Sequence, residues 1–211
     1  MLIVQGPSQK QLSNLLELYQ SGQLNDAEKL AVSLTQDFPR HPFGWKALGA
    51  IFKAKGRKSE AVDANRKAVE LSPQDAETYN NLGVTLQDLG RLDEAEASSK
   101  QAIALNPDYA EAHSNLGNIL REIGGLDKAE ASYNQAIVLK PDYAEAHYNL
   151  GVTLQELGRL DEAEASYNQA IAFNPNFAEA HYNLGNVCKE LGRLEKAKAS
   201  YNQAIAFKPD Y

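Results

Sequence analysis

Three histidines, His113, His147 and His181, each stand two residues before an asparagine, Asn115, Asn149 and Asn183. An imidazole beside an amide is the sort of pair that serves as a general base or a metal ligand. The spacing of 34 residues speaks against both. One histidine per repeated helix pair sets neighbours about 10 Å apart, beyond the reach of one shared ion. The three also occupy the place of Trp45 and Tyr79 in earlier copies, which is a packing position. His41 lies in a turn with no partner signal. Cys188 stands where Leu120 and Leu154 stand in other copies, so it reads as a small buried hydrophobe. The carboxylates Asp93, Glu94 and Glu96, like Asp161, Glu162 and Glu164, gather at helix starts, where they complement the dipole. No Ser-His-Asp set, phosphate-cradling glycine loop or metal-ligand spacing is visible, so the sequence predicts no enzyme, metal or cofactor.

What must position these residues is a period. Pro39, Pro73, Pro107, Pro141, Pro175 and Pro209 recur every 34 residues, and glycines from Gly22 to Gly192 and alanines from Ala27 to Ala197 keep the same interval. After an N-terminal extension, 1–7, six units follow: 8–41, 42–75, 76–109, 110–143, 144–177 and 178–211. Each reads as two helices. His147, Leu150, Gly151 and Leu154 make the apolar stripe of a first helix, which Gly158 ends. Asp161 is expected to cap the second helix, with Glu164 completing a capping box. Ala163, Tyr167 and Ala170 form its buried stripe. Pro175 stops it, and Asp142 or Asn176 is expected to cap the next first helix. One unit cannot bury both stripes, so stability must come from stacking.

Trp45, Leu48, Gly49, Phe52, Gly56, Ala61, Ala68 and Pro73 together resemble the signature of the tetratricopeptide repeat. The resemblance implies an all-α, right-handed superhelical solenoid of six helix-turn-helix repeats. In the first unit Leu12, Leu15, Leu16 and Tyr19 are displaced by one position, which predicts a shortened turn between its helices or an adapted N-terminal cap.

Asn81, Asn115, Asn149 and Asn183 precede the buried leucine of their helices, beside the apolar stripe and toward the inner surface. Asparagine is a poor helix former, so four mid-helix copies need a reason. Hydrogen bonds between helices, or recent duplication, would be one. The other is a ladder of amides that pairs with the backbone of an extended peptide. Such a ladder is similar to that of the N-terminal repeats of O-linked N-acetylglucosamine transferase. The same geometry adds Asn118 and Asn186, the aromatic anchors Tyr148 and Tyr182, and a row of Gln87, Arg121, Gln155 and Lys189 to the peptide-binding surface. The family's clamp for a C-terminal carboxylate needs lysine and asparagine one turn apart. Lys46 is followed by Ala50 and Asn118 is preceded by Ser114, so that clamp is not expected.

The net charge of −7 argues against nucleic acid and anionic membrane as partners. A single cysteine excludes an internal disulfide and fits a reduced, cytoplasmic setting. The array ends without the polar closing helix such arrays usually carry, so it reads as part of a longer protein. The expected function is a non-catalytic scaffold that binds an extended peptide or a partner helix. Self-association through the uncapped C-terminal face, or substrate presentation within a larger transferase, are the alternatives.

Overall fold

The computed structural model describes residues 6–209. Residues 1–5 of the expected extension and residues 210 and 211 of the expected last repeat lie outside that part. Among the described residues the chain forms twelve α-helices and no strand, the all-α repeat fold that the period predicts. Contacts divide it into two compact units, Met1–Pro107 and Asp108–Tyr211. The first holds α1 (Gln9–Gln20), α2 (Leu24–Asp37), α3 (Pro42–Ala54), α4 (Lys58–Leu71), α5 (Ala76–Asp88) and α6 (Leu92–Leu105). The second holds α7 (Ala110–Glu122), α8 (Leu126–Leu139), α9 (Ala144–Glu156), α10 (Leu160–Phe173), α11 (Ala178–Glu190) and α12 (Leu194–Phe207). Within each unit every helix packs on the next one along the chain.

The turn inside a pair is a glycine device. Gly158 sits at φ +74°, a conformation that costs other residues strain. Its N–H donates to the carbonyl of Gln155 at 2.9 Å, and that of Arg159 to Leu154 at 2.9 Å. These two bonds satisfy carbonyls left open at the end of α9. The chain then enters α10 at once, so Arg159 is the cap residue and no side chain caps the helix. The expected capping box of Asp161 and Glu164 is therefore not formed. Asp161 is already helical, in the first turn with Glu162, and Glu164 is turned to Arg193 and Lys196. Asp142 and Asn176 also miss the capping position by one residue, since Tyr143 and Phe177 occupy it without a side-chain bond. Side-chain caps are formed in the first unit instead. Asp75 accepts from the N–H of Glu77 at 3.0 Å, and Ser8 with Gln11 makes a capping box on α1.

Close approach within a pair depends on a second set of glycines. A Cβ placed on Gly117, Gly151 or Gly185 would lie 2.6–2.7 Å from the ring of Tyr133, Tyr167 or Tyr201, sixteen residues further on. Tyr133 and Tyr167 are 0% exposed, so each ring has sunk into the space the missing side chain leaves. The first pair reverses this order of sizes. Leu15 stands where Gly49 stands in the next pair, and opposite it in sequence register is Ala31; both are buried in one core cluster. The three-residue turn Ser21–Gln23 matches Lys55–Arg57 in length, so the expected shortened turn is absent. Exchanging a large residue for a small one across the contact conserves volume. It also holds α1 farther off, and α1 meets α2 far less extensively than α3 meets α4.

Gly151→Ala tests the fit. Helix propensity alone favours alanine by about 1 kcal/mol, whereas forcing the Tyr167 ring aside costs about 1–3 kcal/mol. A net loss of stability is expected in urea unfolding. An unchanged or raised midpoint would show that the ring yields freely.

Candidate peptide-binding surface

In the second unit the first helices of successive pairs, α7, α9 and α11, touch one another directly. They carry Asn115, Asn149 and Asn183, all half-buried, each followed by a buried leucine. The Asn183 Nδ2 donates to the Tyr148 hydroxyl at 3.0 Å. The Tyr148 ring lies 4.8 Å from that of Phe177 and 5.8 Å from that of Tyr167. Tyr148 is thus packed into the wall, while Tyr182 is 39% exposed and leans on Tyr201 at 5.8 Å.

The tyrosines of the second helices connect this surface to the core. Their hydroxyls cross from the second helix of a pair to the first. Tyr133 donates to Asn118 Oδ1 at 2.8 Å, Tyr201 to Asn186 Oδ1 at 2.9 Å, and Tyr167 to Gln155 Oε1 at 3.1 Å. Burial pushes the Tyr133 hydroxyl up to about 12, against the opposing pull of Arg121, and burial raises Tyr167 as well. Both stay protonated and remain donors at neutral pH. The outer row is tied along the array. Arg121 Nη1 lies 3.0 Å from Glu156 Oε1, and Gln155 Nε2 donates to Glu190 Oε1 at 3.2 Å. Lys189 stands exposed beside Glu190 at the end of this row.

Asn81 and Gln87 belong to α5 in the first unit, where Lys53 and Asp88 form the corresponding pair at 3.1 Å. There the surface differs in kind. A cleft of about 330 Å³ opens between α1, α3 and α5, and Asn81 lies at its edge among Leu16, Tyr19, Ala47 and Ala50. This cleft is scarcely legible in the sequence. Its only trace is the one-position displacement of Leu15, Leu16 and Tyr19, whose effect on α1 depends on Ala31.

His147 and His181 are packing residues. His147 Nε2 donates to the Pro141 carbonyl at 2.9 Å with its ring on Phe173, and His181 does the same with Pro175 and Phe207. Cys188 is 1% exposed, and burial raises its thiol pKa. Among the described residues no group of three or more potential ligands gathers, and no helix is long and apolar enough to cross a membrane.

A family model described as TPR repeat matches residues 49–90, 85–124, 117–158 and 154–192, and one described as tetratricopeptide repeat matches 178–211. The chain belongs to the tetratricopeptide repeat family. Tetratricopeptide repeats of this kind mediate protein–protein interactions, and the family is generally non-catalytic. A search of curated proteins gives no match. Among solved structures, MamA is 28% identical with a TM-score of 0.68, covering 77% of this chain and 95% of its own. PilW, a widely conserved type IV pilus biogenesis factor, is 22% identical with a TM-score of 0.87 over 96% of both chains. YrrB, described as a tetratricopeptide protein with an unusual peptide-binding site, is 22% identical with a TM-score of 0.64, covering 86% and 93%. At their identities PilW and YrrB establish likeness of fold alone.

Arginines in the turns clasp successive tetratricopeptide pairs. Arg57 bonds Glu28 and Glu60, and Arg159 bonds Glu130 and Glu162 at 2.6 Å each. Hydrogen bonds from Lys55 and Arg57 hold the Glu28 carboxyl below its ordinary value of 4.5, and Arg159 does the same to Glu162. A depressed folded-state pKa contributes stability that is complete above the unfolded value and is lost as pH falls through the folded one. The thermal midpoint should therefore hold from about pH 7 to 5 and drop below about pH 4, less steeply in high salt. A drop already between about pH 7 and 6 would show that these carboxylates do not govern the acid limit.

Proposed function

We propose that this chain is a non-catalytic interaction scaffold that holds an extended peptide along the first helices of its repeats. The observation that carries this is the row of half-buried amides on α7, α9 and α11, seated beside Asn118, Gln155, Asn186 and Arg121, which hydrogen bonds and an ion pair already hold. The Asn118 and Asn186 oxygens accept from tyrosine hydroxyls, so their Nδ2 groups are oriented as donors. Amides held this way lose little entropy on binding. They address peptide carbonyls and N–H groups in general, so recognition rests on the backbone more than on side chains. We infer further that the row works as an asparagine ladder like that of the O-linked N-acetylglucosamine transferase repeats. Asn183 has a structural duty as well, through Tyr148. Asn183 also hydrogen-bonds the Tyr167 hydroxyl, so its part in the ladder rests on its oxygen as acceptor.

Peptides selected on the full chain from a random library supply the test. Backbone N-methylation should weaken them by about tenfold or more, roughly 1.4 kcal/mol, while single side-chain replacements do less. Asn115→Ala, Asn149→Ala and Asn183→Ala together should weaken binding similarly and leave helicity by circular dichroism intact. Affinity indifferent to both changes would remove the ladder.

A further inference from the structure

Among the described residues of the first unit, apolar side chains stand open together in the cleft between α1, α3 and α5. Leu16 is 54% exposed and Tyr19 38%, facing Phe43, Ala47 and Ala50 across the opening. It exists because Leu15 takes the glycine position and keeps α1 away, and because alanines on α3 leave room. Grouped exposed apolar side chains rimmed by polar ones mark interaction sites. A volume of about 330 Å³ is at the low end for ligand sites. It suits one or two aliphatic side chains and not the face of a whole helix.

The charge at its mouth specifies what accompanies them. Lys46 is shared by two carboxylates, Asp75 at 3.1 Å and Glu77. Asp75 is held further by the Thr78 hydroxyl at 2.8 Å and by the N–H of Glu77. One ammonium against two carboxylates leaves one negative charge over between Asp75 and Glu77, and Glu77 is the one open to a partner, its side chain 58% exposed against 34% for Asp75. A complementary occupant brings a cation there.

We propose that this cleft takes a short segment of a partner protein that inserts one or two aliphatic side chains between Leu16, Tyr19, Ala47 and Ala50 and sets an adjacent lysine or arginine on Glu77. The proposal rests on reading the chain as a peptide-binding scaffold, but it puts side-chain specificity in the first unit, apart from the amide row of the second. Asn81, at the cleft edge, is placed to hold the backbone of the same segment.

Peptides recovered from a random phage library on the full chain, labelled and titrated by fluorescence polarisation, decide it. The recovered set should pair an aliphatic residue with a neighbouring basic one. Leu16→Asp and Ala50→Glu, both at exposed positions, should each weaken these peptides by about tenfold or more. Glu77→Gln should weaken them by several-fold, yet leave unchanged a version in which the peptide's basic residue is glutamine. The fold-loss caused by Leu16→Asp should be the same in a chain that also carries Asn115→Ala, Asn149→Ala and Asn183→Ala, which separates failure of the ladder from failure of the cleft. A set without the aliphatic–basic pairing, no recovered peptide, affinity untouched by Leu16→Asp and Ala50→Glu, or a Glu77→Gln effect equal on both peptide versions would overturn the proposal. So would concentration-dependent self-association in sedimentation that Leu16→Asp abolishes, since it would seat a second copy in the cleft.

Discussion

A glycine on the first helix and a side chain sixteen residues later on the second share one space, and the rest of the fold is arranged around that sharing. The glycine gives up helix propensity of about 1 kcal/mol relative to alanine. In return a whole tyrosine ring is buried, an area worth several times as much. Because the ring passes between the helices, its hydroxyl emerges on the far side. Packing and surface are therefore coupled: the contact that closes the pair also fixes Asn118, Gln155 and Asn186.

The pairs do not use this contact equally. In the first unit Asn65 takes the tyrosine place and donates to Thr85 at 3.2 Å, reaching the following pair. Ser99 fills less of the space, and its hydroxyl is buried without a hydrogen-bond partner, a cost of about 1–3 kcal/mol. Leu15 and Ala31 solve the problem in the opposite sense. The result is a first unit with an apolar cleft and a second with a tyrosine-braced amide row. The same repeat thus carries two surfaces of different chemistry.

Ionic contacts refine this arrangement without building it. Arg57, Arg159 and Arg193 each join neighbouring pairs, but mostly at the surface, where screened pairs contribute at most about 1 kcal/mol. Their value is registration, because each arginine reaches back to a glutamate on the previous second helix and fixes how far the pairs slide.

The sequence by itself determined the period, the twelve helices and the buried stripe. Those follow from glycine, alanine and proline at fixed intervals, and from hydrophobic spacing within single helices. It also placed His147, His181 and Cys188 among packing residues by alignment with Trp45, Leu120 and Leu154. What it did not determine lies between helices. The expected caps at Asp142, Asp161 and Asn176 missed because the turn geometry sets the cap one residue after Asp142 and Asn176 and two residues before Asp161, which composition does not encode. The bonds from Asn183 to Tyr148 and from Tyr133 to Asn118 join residues 35 and 15 positions apart, on different helices. The cleft needed the size of Leu15 to be set against that of Ala31. Only tertiary packing decided these, because side-chain volume acts on whatever the fold brings opposite it and not on its neighbours in the chain.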